Sequence, residues 1–375
     1  DSLDIRDNGT TSSDFTDYGF SLIYGATTAD GCKYDTIRNC RVRLNNANTG
    51  SNGVYLYSSN SGTGTNNYNV FLNDSITQCR NGYYFSAASS ADTMNIIGSS
   101  GAGVSAVCNI TGYAMYFSRQ QQLKVFRTEI DSVKNSLTSM GIYFSTCGNF
   151  EVYNSEIHKV LASSSYDAIG IYMTSVSGAN RIYNNRVFDI TNPSGTGRSW
   201  GITEWTTSGI TSNIIYNNFI YDIKSPSGTT NPPVIGLYLN GSSTDSVFHN
   251  TVYLNYSSLH ASNFSSALYI TTQTGHNVDL RNNIFVNNSN LSTGTRAVAF
   301  YYGSSDFSKL SANTNNNLYY AGTPGPKNLI FYNGSNADTT ISQYIARVTP
   351  KDSDAVSEFP YFKNKISPYD LRIDS

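Results

Sequence analysis

The chain has 375 residues, 39% of them hydrophobic and 13% charged, with a net charge of −2. That length can bury a sizeable core, but Lys and Arg are scattered rather than clustered, so nothing draws the chain to nucleic acid or anionic lipid. The longest apolar runs, such as AVAFYY at 297–302, fall far short of the roughly 20 residues a bilayer requires, so no membrane span is expected.

The sequence opens DSLDIRDNGT, without an initiator Met or a signal-peptide pattern, as expected of a mature or excised piece of a longer precursor. Residues 1–34 read as an N-terminal capping or first-coil segment. Five cysteines, Cys32, Cys40, Cys79, Cys108 and Cys147, lie in the first 150 residues, and an odd count leaves at least one unpaired. Cys32 and Cys40 are placed to clip the N-terminal end, whereas Cys79, Cys108 and Cys147 read as small buried hydrophobes. No Cys-x-x-Cys occurs, so nothing supports a zinc site.

From residue 35 the chain paraphrases itself. RIYNNRVFDI at 181–190 returns as IIYNNFIYDI at 214–223, then as VFHNTVYLN and LRNNIFVNN. The aliphatic residue after each Asn corner falls at Val42, Ile76, Ile130, Ile157, Val187, Ile220, Val252, Ile284 and Leu318, with a degenerate unit expected near Val104. A second phrase keeps the same period: GVYLY at 53, GYYFS at 82, GIYFS at 141, GIYMT at 170, GITEW at 201, GLYLN at 236 and ALYIT at 267. A period near thirty residues means a repeat architecture, and short β-branched or aromatic phrases alternating with period two make its units strands rather than helices. Three strands fit each unit, and each can pair only with its equivalent in the next. The expected fold is all-β: a right-handed parallel β-helix of about ten coils over 35–320.

The Asn phrase marks the corner of each coil, because Asn tolerates left-handed backbone better than any residue but Gly. Asn154, Asn184, Asn185, Asn217, Asn218, Asn250 and Asn282 are expected to stack from coil to coil as a hydrogen-bonded ladder. Residues 321–375 read as a closing segment with a short helix at 339–348. Thr339 or Thr340 would cap that helix, and Ile341, Tyr344, Ile345 and Val348 form its apolar stripe.

On the phrases VYNSEI, IYNNRV, IYNNFI, FHNTV and LRNNIF, the chain resembles the secreted right-handed parallel β-helix proteins of pectate-lyase-like fold. The closing segment, with FPYF and YDLRI, is similar to that of large surface proteins common in Bacteroidota. The resemblance implies an extracellular or bacterial cell-surface setting within a larger polypeptide, but such folds carry enzymes, adhesins and inert stalks alike. The Asn-Thr-Asp, Asp-Asp, Gly-His-Gly and Arg-Ile-Lys blocks of polygalacturonase-like hydrolases are missing, so no catalytic residue carries over.

Local candidates remain. Lys159, Asp189 and Asp222 should stack on one face, able to hold a cation such as calcium or to supply an acid and a base. Glu204 occupies an inward slot in GITEW, so it must be paired, with Arg198 as the candidate, or the register slips there. Trp200 and Trp205 flank it. Tyr55, Tyr84, Tyr143, Tyr172, Tyr238 and Tyr269 share one outward column, which serves either coil-to-coil packing or the stacking of sugar rings or a partner surface. The favoured reading is a stalk, adhesin or structural module whose faces bind a polysaccharide or another protein chain, with no cofactor. The alternative is a polysaccharide lyase or glycoside hydrolase acting through Lys159, Asp189, Asp222 or Glu204.

Overall fold

The structure, a computed structural model, describes residues 2–9, 16–24, 30–58, 64–101, 103, 105–135, 137–205, 211–258, 264–271, 273–292 and 294–374. Strand accounts for 54% of the chain and helix for 3%, wound as a parallel β-solenoid of about nine turns rather than ten. Three parallel sheets form its walls: an 11-stranded first sheet, a 9-stranded second and a 12-stranded third. One coil shows the path. Glu151–Tyr153 lies in the second sheet, Glu156–Leu161 in the first and Ala168–Thr174 in the third, before Gly178–Tyr183 returns to the second, one level up.

The corner between second and first sheets uses two residues with opposite duties. The first takes positive φ and faces solvent: Asn154 (+54°), Asn184 (+57°), Asn217 (+54°) and His249 (+55°). The second turns inward. Ser155 N–H donates to Asn185 Oδ1, Asn185 N–H to Asn218 Oδ1, Asn218 N–H to Asn250 Oδ1, and Asn250 N–H to Asn283 Oδ1, all within 3.0–3.1 Å. Each amide also donates to a backbone carbonyl of an earlier strand, as Asn250 Nδ2 does to Ile215 O at 2.8 Å. The ladder therefore satisfies backbone groups that the corner removes from sheet pairing.

Four expected members sit one residue away: Asn154, Asn184, Asn217 and Asn282, the last at φ +56°, are the solvent-facing corner residues, and Ser155, Asn185, Asn218 and Asn283 hold the ladder positions beside them. Correspondingly, Val252 pairs in register with Phe285 rather than Ile284, and Phe285 with Tyr319 rather than Leu318. In LRNNIF the spacer position between ladder residue and anchor, held by Arg186, Phe219 and Thr251 in NNRV, NNFI and HNTV, is itself aliphatic, so Ile284 falls outside the inward column and Phe285 is the anchor. Ile157, Val187, Ile220 and Val252 do align through successive strands. The degenerate unit is filled by Val107, paired with Ile76 and Ile130; Val104 lies outside the described residues.

Glycine opens the GIYF phrase because the interior is narrow. A Cβ on Gly170 would collide with Val187 Cγ1 and lie 2.6 Å from Gly201 O, so only hydrogen fits where the first-sheet anchor meets the third sheet. At the C-terminal end the helix Ile341–Val348 covers the last coil, with the Thr340–Gln343 capping box in place. Tyr344 is fully buried against Phe300, Tyr319 and Phe331. Asp352 ends the ladder, accepting from Asn317 Nδ2 at 3.0 Å and from the Tyr319 and Tyr344 hydroxyls at 2.8 Å each.

All five cysteines are free, so Cys32 and Cys40 form no clip. Cys79 and Cys147 are buried, with burial pushing each thiol up to about 12, but Cys108 is half-buried on the outward side of its strand. Among the described residues no helix is long and apolar enough to cross a membrane.

Candidate functional site

The outer face of the second sheet carries a trough of about 770 Å³. Its floor is one outward column: Val70, Ile96, Lys124, Glu151 and Arg181, paired in register from coil to coil. Four strand spacings give this floor a length of roughly 19 Å. One wall is the corner file Tyr68, Met94, Gln122 and Asn149, all at positive φ, with Tyr68 38% and Met94 41% exposed. Exposed large apolar groups beside a charged floor make a lining of mixed chemistry.

The strand position two residues beyond the floor carries a second file: Gly98, Phe126, Tyr153, Tyr183, Tyr216, Phe248 and Arg281. Phe126, Tyr153, Tyr183 and Tyr216 are co-facial, with centroids 5.3, 4.9 and 4.8 Å apart and planes within 11°. The file ends on the Arg281 guanidinium, 4.3 Å above Phe248. Rings this close spend their faces on one another, so they offer edges and hydroxyls to a ligand rather than stacking surfaces. Tyr183 donates to Glu151 Oε2 at 3.2 Å, and burial together with the Glu151 charge raises its hydroxyl above the ordinary tyrosine value. This file is legible as the aromatic letter before each corner in VFR, VYN, IYN and VFH, but the repeated GIYF tyrosines are the more conspicuous signal and draw the functional expectation to themselves.

Those tyrosines do share an outward column, to which the structure adds Tyr116 and Tyr301. Tyr55, Tyr84, Tyr143, Tyr172 and Tyr269 are half-buried, and Tyr238 is buried. From Tyr143 to Tyr172 the rings are tilted by 35°, and Tyr238 meets Tyr269 edge-on at 83°. Thr203 interrupts the column, and Trp200 and Trp205 flank the gap, each edge-on to Tyr238. Trp200 is 3% exposed and lies under the Arg198 guanidinium at 4.2 Å.

Glu204 keeps its register between Met173 and Leu239 and is fully buried. Arg198 is not its partner, being held bidentate by Asp167 at 2.6–3.2 Å. Glu204 accepts instead from Asn240 N–H at 3.0 Å and lies 3.3 Å from Ser243 Oγ. Ser243 continues to Asp245, which receives Asn213 Nδ2 and faces His276 Nε2 at 2.8 Å each. A sealed carboxylate cannot meet a solvent-borne substrate, so this cluster organises the core between coils. Asp245 and His276 carry no signal in the repeat phrases.

Lys159, Asp189 and Asp222 do fall in one file of the first sheet, at φ +51°, +51° and +56°, where each strand kinks. Their partners differ. Lys159 Nζ turns to Asp131 at 3.0 Å, Asp222 pairs with Lys224 at 2.5 Å, and Tyr369 of the closing segment lies 3.4 Å from Asp222. Burial and the neighbouring Asp222 raise Asp189 above the usual carboxylate range. Among the described residues, no group of three or more His, Cys, Asp or Glu is placed to hold a metal ion.

No protein-family model, curated protein or solved structure matches the chain.

Proposed function

We propose that the chain is a rigid β-helix module of the secreted or cell-surface kind that binds a linear glycan along the trough of its second sheet. The observation carrying this reading is the trough itself: a channel with one floor residue per coil, walled by exposed Tyr68 and Met94 and by Gln122 and Asn149. A polymer with its own repeat suits such a channel, because each unit can meet an equivalent position one strand spacing further on. The side-chain amides of Gln122 and Asn149 bring the donors and acceptors that sugar recognition uses.

Screening the whole chain on a glycan array, followed by calorimetry of Tyr68→Ala/Met94→Ala, tests the reading. Expected is a hit among linear glycans that the double variant weakens about tenfold with an unchanged melting temperature. An empty array, or a variant that binds as well as the parent, would remove the trough from consideration.

The raised, half-buried Asp189 beside Asp222 favours a second reading, a polysaccharide lyase or hydrolase acting on the first sheet. Release of product from polysaccharide, abolished in both Asp189→Ala and Asp222→Ala, would establish it in place of simple binding.

A further inference from the structure

Resting on the glycan reading, we infer that the trough selects an acidic glycan bearing one carboxylate per disaccharide rather than one on every sugar. Three observations converge on this. Along the floor the charges alternate at single coil steps, cation at Lys124, anion at Glu151, cation at Arg181. The two cations therefore stand two strand spacings apart, roughly 9.6 Å, which is about the length of a disaccharide in an extended β-linked chain. A carboxylate on alternate sugars meets Lys124 and Arg181 in turn, and the neutral sugar between them meets Glu151.

The second observation is how loosely these charges hold one another. Lys124 Nζ lies 3.7 Å and Arg181 Nη1 3.9 Å from Glu151 Oε1, and the two basic side chains are 47% and 52% exposed. Exposed pairs at such distances contribute little, so either cation can turn to a ligand carboxylate at small cost. Glu151 is the fixed member: its side chain is 21% exposed, and Oε2 accepts from Tyr183. A polymer charged on every sugar would set a carboxylate directly against it, and that juxtaposition rejects the wrong ligand.

The third is local charge. The chain as a whole carries −2, yet the lining of the trough sets Lys124 and Arg181 against Glu151, a local excess of positive charge. An anionic ligand is thus drawn to this face and not to the molecule at large.

The test uses the full chain and three oligosaccharides of equal length: one alternating glucuronate with N-acetylhexosamine, one of galacturonate throughout, and one neutral β-glucan. Calorimetry at low and at moderate salt should give the alternating probe an affinity at least about tenfold above either other, with a salt dependence the neutral probe lacks. Lys124→Gln/Arg181→Gln should erase that advantage and its salt dependence while leaving the melting temperature in place. Glu151→Gln should improve the fully charged probe selectively. Equal binding of neutral and alternating probes, or preference for the fully charged one, overturns the inference and leaves glycan binding standing. Binding of none of the three, together with an empty array, overturns both.

Discussion

His276 is 1% exposed and has hydrogen-bond acceptors on both sides of its ring: Thr271 O at 2.8 Å from Nδ1 and the Asp245 carboxylate at 2.8 Å from Nε2. A neutral imidazole has one N–H, so the pair holds an extra proton, as an imidazolium–carboxylate pair or its tautomer. Desolvation works against the charged ring, but the bond to Asp245 and its charge outweigh it, and the His276 pKa is raised. A raised value stabilises the fold fully below the ordinary 6.5, and that contribution fades as pH climbs through the folded-state value. His276→Gln should cost roughly 3–5 kcal/mol near pH 6, a deficit that narrows on the alkaline side. Urea unfolding at several pH values checks it, and a deficit constant across the range would show that this ring does not titrate differentially.

Asp74 offers the converse experiment. It occupies the ladder column, accepting from Cys40 N–H at 2.9 Å, but its second oxygen is buried without a partner, and burial pushes its pKa up to about 7. The native state tolerates this carboxyl when neutral and loses stability as pH rises from about 4 through 7. Asp74→Asn keeps the acceptor and removes the charge. A gain of roughly 2–4 kcal/mol is expected at pH 8 and none near pH 4; thermal melts showing equal shifts at both would contradict the assignment.

Within the two-residue corner, the two positions predict different behaviour. Asn250→Ala strips the acceptor from Asn218 N–H and the donor from Ile215 O, leaving buried backbone groups open, and should cost roughly 2–4 kcal/mol. Asn217 needs only its left-handed φ of +54°. Asn217→Gly should therefore be nearly neutral, while Asn217→Val should cost about 1–2 kcal/mol. Chemical denaturation in which the exposed position cost more than the buried one would reverse the two roles.

The same corner explains what the sequence discloses. Period, strand character and left-handed Asn are local properties, so the solenoid is readable from residues 35–320 alone. The closing helix is legible too, because a cap and an apolar stripe are written within ten residues. The slip at Asn282 and Ile284 comes from an aliphatic residue in the spacer position, which imitates the anchor and is told apart from Phe285 only by pairing with the previous coil. The trough is hidden for a related reason: Lys124, Glu151 and Arg181 are about thirty residues apart, and nothing in any one repeat announces that they form a row.

For the whole molecule, the asymmetry of the two ends decides how it comes apart. The last coil lies beneath Tyr344, Val348 and the Asp352 ladder stop, whereas among the described residues the strands Asp4–Arg6 and Thr36–Arg38 pair on one side only and keep Ile5 and Ile37 partly exposed. In a solenoid each coil leans on its neighbours, so opening should start at the less protected end. Native-state hydrogen exchange is expected to run fastest in the strands Asp4–Arg6, Thr36–Arg38 and Arg41–Arg43 and slowest in central strands such as Glu156–Leu161, Arg186–Thr191 and Phe219–Lys224, and uniform protection along the axis would count against this picture. Tyr344→Ala, which empties the cap, should cost about 3–5 kcal/mol and accelerate exchange around Phe300 and Phe331.

Because Asn185, Asn218, Asn250 and Asn283 occupy interchangeable rungs, duplicating one intact period, such as 185–217, would insert a level without disturbing those on either side. Length along the axis would then grow in discrete increments, one strand spacing for each copied module.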